Sequence, residues 1–119
     1  MNSQDTETNL PARIKQQILE AWETGHGGTP DQVHLLQGAD GMALIIPKAL
    51  YQAEVDLVKR EPSGGGGRVL NQYLRTLLHT VATDFSPMIE EISQQKVEEV
   101  VPLIDLRAGW AIAFYRFRE

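Results

Sequence analysis

The apolar residues of this chain recur at helical spacing in three stretches and form strand-like segments in four shorter ones. The first helical stretch begins near Pro11, a residue that suits the first turn of a helix. Ile14, Ile18 and Trp22 follow at intervals of four residues, which places them on one helical face, and Gly25 is a stop signal. The pattern therefore predicts a first helix between Pro11 and Gly25.

A β-hairpin is predicted next. Val33 and Leu35 form its first apolar segment, and the continuous run Met42–Ile46 forms its second. Asp40-Gly41 lies between them, and Asp-Gly between two apolar segments is a strong hairpin signal. Pro47 lacks a backbone N–H, so we expect the second strand to end there.

Two further helices are predicted in the middle of the chain. The first runs from Ala49 to Lys59, and its buried face is expected to consist of Leu50, Ala53, Leu57 and Val58. Residues 62–67, with four consecutive glycines, have the composition of a flexible connector. A long helix then extends from Val69 to Ile92, kinked or briefly broken near Pro87, because proline lacks the donor that a helix interior needs.

The last segments predict a second hairpin. Apolar residues run from Val97 to Ile104, and the turn Arg107-Ala108-Gly109 follows. Beyond it the large residues Trp110, Ile112 and Phe114 alternate with Ala111, Ala113 and Tyr115. The order of elements predicts an α+β fold in which two β-hairpins form an antiparallel four-stranded sheet, packed by a long kinked helix and two shorter helices. Residues 11–119 are expected to form a single α+β domain, and the polar residues 1–10 a disordered tail.

Composition and charge limit the classes of function. The net charge is −5, so the chain as a whole repels nucleic acids and anionic lipids. It contains no cysteine, which excludes disulfides and thiolate metal sites and is typical of a reducing compartment. The first ten residues do not resemble a signal peptide, and the apolar run 42–47 is too short to cross a bilayer. We expect a cytoplasmic protein without direct membrane insertion.

Residues with chemical potential do not form a recognisable catalytic, cofactor or metal site. No two of His26, His34 and His79 have the spacing that directs both at one metal ion. The pairs Glu90-Glu91 and Glu98-Glu99 point apart on either a helix or a strand, so solvated charge is the expected state. Gly64–Gly67 before a helix leaves one alternative open, which is a sensor or enzyme that binds a phosphate-containing ligand at this loop.

Apolar residues of the long helix and the last strand predict a protein interface. The stripe on the helix is long for so small a domain, and an uncovered stripe usually marks a contact surface. We therefore expect a homodimer. The candidate interface residues are Leu70, Leu74, Leu77, Val81, Phe85, Trp110 and Phe114. The aromatic residues of the last hairpin leave a second alternative, nucleic-acid binding by base stacking, against which the acidic charge counts.

Several short motifs resemble the MpsC-like family of bacterial proteins. They are Gly67-Arg68 with Arg75, Glu90-Glu91-Ile92 leading to Lys96-Val97, the loop Gly25–Pro30, and Leu50-x-x-x-Glu54-x-x-Leu57. The chain departs from the family in the loop Gly25–Pro30, which is longer than the family's loop, at Tyr51, where Thr is usual, and at Gln94, where Gly is usual. The family is named for an accessory component of a sodium-translocating, membrane-potential-generating system. The resemblance implies a non-enzymatic accessory protein that acts through protein contacts and is linked to a membrane transport system for ions or bicarbonate.

Overall fold

The computed structural model describes the backbone of residues 3–60 and 65–119, and the side chains of residues 11–57 and 68–119. The described elements are, in order, α1 (Ser3–His26), β1 (His34–Gln37), β2 (Gly41–Ile46), α2 (Gln52–Arg60), α3 (Gly65–Asp84), α4 (Ser86–Ser93), β3 (Val97–Asp105) and β4 (Trp110–Phe117). Four helices with one antiparallel sheet confirm the predicted α+β class.

The two predicted hairpins join in a single sheet with strand order β1-β2-β4-β3. The last strand is inserted between β2 and β3, and its register with β2 pairs Met42 with Tyr115 and Leu44 with Ala113. Both strands of the second hairpin and both strands of the first are antiparallel neighbours. The C-terminal strand therefore lies in the interior of the sheet, hydrogen-bonded on both sides.

The helices form a layer on one face of the sheet, which we call the inner face. Helix α3 packs against β3 and β4, while α1 packs against α3 and α4. The shortest dimension of the molecule is 20 Å, about the thickness of one sheet and one layer of helices. Inner-face residues of β2 and β4 are buried together with residues of α1 and α3: Met42, Leu44, Ile46, Ala111, Ala113, Tyr115, Ile18, Trp22, Leu74 and Leu78.

The first helix differs from its prediction at both ends. It begins at Ser3, so the segment 3–10 that the sequence predicts as a disordered tail is helical here. Pro11 consequently lies inside the helix instead of in its first turn. The helix continues past Gly25 to His26, where Gly27 takes a left-handed φ of 91° and donates its N–H to the Glu23 carbonyl at 2.8 Å.

The middle helix starts three residues later than predicted, and its buried face is different. The N–H groups of Ala49 and Leu50 both donate to the Gly109 carbonyl, which holds these residues outside the helix. Of the four residues predicted to be buried, Leu50 is buried, Ala53 and Leu57 are exposed, and Val58 lies outside the described side chains. Val55 is buried in their place.

The long helix is broken, as predicted, close to Pro87. Helix α3 ends at Asp84, Phe85 has φ −93° and ψ 0°, and α4 begins at Ser86 with the proline in its first turn. Helix α3 begins at Gly65, so Gly65–Gly67 belong to the helix. The prediction of a flexible connector was wrong for these three residues. Pro62–Gly64, the rest of the predicted connector, lie outside the described residues.

A buried tyrosine joins the helical layer to the sheet at this break. The hydroxyl group of Tyr115 donates to the Ala82 carbonyl at 2.7 Å, and the side chain is fully buried. Ala82 is one of the last residues before the break, and its carbonyl also accepts the Phe85 N–H at 3.2 Å. Burial raises the pKa of the Tyr115 phenol well above its ordinary value, since the charged form is poorly solvated there.

Replacement of this hydroxyl is expected to weaken the attachment of α3 to the sheet. Tyr115→Phe should lower the free energy of unfolding by about 1 kcal/mol at neutral pH, because a buried hydrogen bond is lost. Above about pH 10 the unfolded wild-type chain releases the phenol proton and the native state retains it, so wild-type stability should fall there. Urea unfolding at about pH 8 and about pH 11 should show a smaller alkaline loss in the variant than in the wild type.

The control for this measurement is Tyr73→Phe, at a tyrosine that is 56% exposed. This variant should keep wild-type stability at neutral pH and the wild-type alkaline loss. Equal stability of Tyr115→Phe and Tyr73→Phe at both pH values would show that the buried hydroxyl does not hold the layers together.

Candidate protein-interaction surface

The face of the sheet opposite the helices is apolar and uncovered in the described chain. We call it the outer face and define it by the strand positions that alternate with the inner ones: Leu36, Ala43, Ile45, Val101, Leu103, Trp110, Ile112 and Phe114. Leu36 is 59% and Leu103 55% exposed, while Val101, Trp110 and Phe114 are each about 40% exposed. Singly exposed apolar residues are common, but a contiguous group on one face marks a contact surface.

Charged groups lie only at the two ends of this face and are satisfied within the chain. At one end the Arg116 guanidinium is 2.6 Å from a carboxylate oxygen of Glu99 and 3.9 Å from one of Glu98. At the other end an Asp105 carboxylate oxygen accepts the N–H groups of Arg107 and Ala108, each at 3.1 Å. Between the ends, the ionisable group on this face is the exposed imidazole of His34, which lies opposite Ile45 on edge strand β1.

Phe114 has a structural contact on this face in addition to its exposure. The position where a Cβ of Gly41 would lie is 2.5 Å from the Tyr115 carbonyl oxygen and is also blocked by the Phe114 ring. The ring thus covers the backbone of a glycine in the neighbouring strand, an arrangement known to protect glycines in sheets. Replacement of Phe114 would therefore disturb the sheet as well as its surface, so substitutions that test the surface are placed at other positions.

The sequence carries a signal for this face that the alternation argument did not use. In β2 the run Met42–Ile46, and in β4 the run Trp110–Tyr115, are apolar at both the odd and the even positions. Strands that are apolar in both phases are typical of sheets buried on both faces, whereas one covered face gives a polar alternation. The side chains of these strands are thus those expected of a sheet that is covered on both faces, whereas the described helices cover one face only.

The structure divides the predicted interface residues into two groups. Those on the helix face the monomer core, where Leu74 is fully buried, Val81 and Phe85 are 8% exposed, and Leu70 and Leu77 are partly buried. Trp110 and Phe114 lie on the outer face. The sheet and α1 pack against these helix residues, whereas Val69 and Tyr73 of the same helix are exposed. Of the predicted interface residues, Trp110 and Phe114 are the ones that lie on an uncovered sheet face.

The aromatic residues of the last hairpin do not form one stacking surface. Trp110 and Phe114 lie on the outer face, whereas Tyr115 and Phe117 are buried on the inner face. Arg116, the basic residue of the outer face, is paired with glutamates. Binding of single-stranded nucleic acid combines stacking aromatics with a basic groove, and this arrangement gives no support to that alternative.

A second cluster, between the end of α1 and the start of α2, was not predicted. His26 is stacked between Trp22 and Tyr51, with ring centroids 5.1 Å and 4.9 Å away. Its Nε2 is 2.9 Å from a carboxylate oxygen of Glu54, and its side chain is only 3% exposed. The same Glu54 oxygen accepts the Tyr51 N–H at 2.8 Å, and the Trp22 indole donates to the Ala49 carbonyl at 2.9 Å. These contacts tie the two helices together.

The geometry of His26 identifies a structural role for the pair. The Gly28 N–H donates to Nδ1 at 3.2 Å, so Nδ1 is an acceptor and Nε2 carries the hydrogen that is donated to Glu54. Both ring nitrogens and both ring faces therefore have partners inside the chain. No local sequence pattern pairs two residues that are 28 positions apart.

The other residues considered for chemistry are dispersed. His34 and His79 are exposed, and a carboxylate oxygen of Glu90 accepts the Val97 N–H at 2.8 Å. A groove of about 420 Å³ lies between α3 and Pro102 of β3, where Arg75 and His79 are among the lining residues. Its polar side chains are exposed, so the groove resembles an ordinary helix surface. Among the described residues, no three His, Cys, Asp or Glu side chains are grouped as a metal site requires.

Gly65–Gly67 form the first turn of α3, so the described part of the Gly64–Gly67 segment is helical. These three glycines do not form the loop that the phosphate-binding alternative requires. A helix N-terminus alone attracts anions only weakly, so this feature does not define a site. No helix within residues 3–60 and 65–119 is long and apolar enough to cross a membrane.

Comparison with protein-family models, with curated proteins and with solved structures gives no match for this chain in any of the three. The resemblance to the MpsC-like family therefore stays a prediction. The fold and the surface define the class at a coarser level: an α+β protein with one helical layer and one open apolar sheet face.

Loss of the Glu54 carboxylate is expected to destabilise the junction of α1 and α2. Glu54→Ala should lower the free energy of unfolding by about 1–3 kcal/mol, because a hydrogen bond to a charged group and the N-terminal bond of α2 disappear together. Thermal unfolding monitored by circular dichroism measures this loss. Asp56→Ala, on the same helix, removes only an exposed bond from Gln52 and should change stability by less than about 0.5 kcal/mol.

Oligomeric state provides a second measurement on the same variants. Glu54 is not on the outer face, so neither substitution should alter the association of native chains. Stability of Glu54→Ala equal to that of Asp56→Ala would mean that the His26–Glu54 contact does not hold the helices together.

Proposed function

We propose that this chain is a non-enzymatic interaction module that acts through protein contacts made by the outer face. The observation that supports the proposal is the apolar character of β2 and β4 in both phases, although helices cover one face only. Exposure of such an apolar surface to water is unfavourable, and burial of its side chains against another protein is favourable.

The absence of a catalytic role is part of the same proposal. His26, the histidine with a carboxylate partner, has both nitrogens and both faces occupied within the chain. The groove beside α3 has exposed polar walls in place of the apolar enclosure with a few convergent polar groups that ligand sites usually have. Recognition through the open outer face requires no such enclosure.

The resemblance to the MpsC-like family supplies a context for the proposal. It places the module in the cytoplasm as an accessory to a membrane transport system for ions or bicarbonate, which it contacts through protein surfaces. The two segments that carry part of this resemblance, Gly25–Pro30 and Leu50–Leu57, meet at the His26–Glu54 contact. These two motifs therefore form a structural junction in this chain.

Site-specific photo-crosslinking in the native cell tests the proposed surface. A photoreactive phenylalanine analogue at Leu103 should give discrete protein adducts, because Leu103 lies on the outer face and is 55% exposed. The matched control carries the same analogue at Tyr73, which is 56% exposed on α3 in the helical layer. We expect adducts at Leu103 and few or none at Tyr73.

Mass spectrometry of the adducts identifies the protein that covers the face. Equal yields at the two positions, or no adduct at Leu103 in cells that contain the protein at native levels, would contradict the proposed function.

A further inference from the structure

We propose that the occupant of the outer face is a second copy of this chain, packed face to face about a two-fold axis. The inference rests on the proposed function, since it names the partner of the same surface. The dimer would have four layers, with the two sheets in the middle and a layer of helices on each outside. Sheets that pack in this way are about 10 Å apart, with side chains of both faces interdigitated.

The exposed apolar area is of the size that such a dimer needs. Five outer-face side chains are 39–59% exposed. At about 100 Å² each they present on the order of 500 Å², which is as large as the largest patch of a typical monomer. Two such faces together give about 1,000 Å² before any polar rim is counted, which reaches the lower bound for a specific interface.

The charges of the face favour a like partner. Arg116 is neutralised by Glu99 of its own chain, and Asp105 is held by two N–H groups of its own turn. These groups lie at the ends of the face, so packing of its apolar centre on itself buries none of them. A partner chosen by charge would instead require an unpaired charged group on this surface.

The edges of the sheet direct a second copy to the face. Edge strand β3 contains Pro102, which has no N–H to offer to an added strand, and a register shift between Val97 and Glu99. The other edge strand, β1, has only four residues. Association through a continuous eight-stranded sheet is thus disfavoured at both edges, whereas the apolar face has no such obstacle.

Sedimentation over a concentration series tests the proposal on the full chain. The wild type should approach twice the chain mass of 13.3 kDa at micromolar concentration. Leu36→Lys and Leu103→Lys place a charge at either side of the face, and each should raise the dimer Kd by at least about tenfold. The control Tyr73→Lys, on α3, should leave the Kd unchanged. If a lysine variant fails to fold, Val101→Thr replaces it, since this substitution hardly changes the shape of the side chain and should also weaken the dimer.

Salt dependence separates this contact from a charge-driven one. Each copy has a net charge of −5, so added salt should strengthen a self-association that is apolar at its centre. Contacts through opposite charges would weaken under the same conditions.

Cross-linking then locates the contact, and the chain offers a clean background because it has no cysteine. Ala43→Cys lies within the outer face on β2, and a short bis-maleimide should join two copies through it. Thr76→Cys, exposed on α3, should not be joined. A wild type that stays monomeric at high concentration, or a dimer that resists both lysine substitutions, or one that cross-links through Thr76→Cys, would overturn the inference. A monomer that still gives Leu103 photo-adducts with another protein would leave the proposed function intact.

Discussion

Successive side chains of a β-strand point to opposite faces, and this constraint decides which residues of the sheet the helices can cover. In β4, Ala111 and Ala113 point to the inner face and Trp110, Ile112 and Phe114 to the outer one. The small residues let α3 approach closely, so that Leu74 and Leu78 of the helix supply the volume of the core there. Trp110, Ile112 and Phe114 point away from the helices, whereas the large side chain of Tyr115 points inward and reaches the end of α3. A shift of register by one residue would exchange the two sets and remove the helix-packing surface.

The hairpins and the broken helix were predictable because their signals are local. Asp40-Gly41 and Arg107–Gly109 lie at the turns, and Pro87 lies in the first turn of α4. The strand order is not local, because the insertion of β4 between β2 and β3 depends on contacts between residues about 70 positions apart, such as Met42 and Tyr115. The start of α2 was misplaced for a similar reason. Gly109 binds the N–H groups of Ala49 and Leu50, and no pattern near residue 50 indicates a partner so distant.

The candidate interface was predictable in part. Periodicity placed Leu74, Leu77 and Val81 of α3 on one stripe, but it does not reveal how much of a stripe other elements cover, and Val69 and Tyr73 of the same helix are exposed. Helix α1 proved to be the longest helix, and together with the sheet it buries Leu74 and Leu78 completely. The contact between His26 and Glu54 was outside the reach of the sequence, since it joins two helices across an intervening hairpin. Gln94 has a left-handed φ of 60°, a conformation that glycine adopts without strain.

The position of β4 bears on how well the outer face can bind. Area alone does not determine affinity, because association has to offset the entropy lost when flexible groups become ordered. Ile112 and Phe114 lie on a strand that is hydrogen-bonded to β2 on one side and to β3 on the other, so their backbone is already fixed. The contact of Phe114 with Gly41 restricts its ring before any partner arrives. Leu36 and Leu103, on the two edge strands, have more freedom and greater exposure. The centre of the face is therefore preorganised, and an occupant with a flat apolar surface would lose little of its binding energy to ordering this chain.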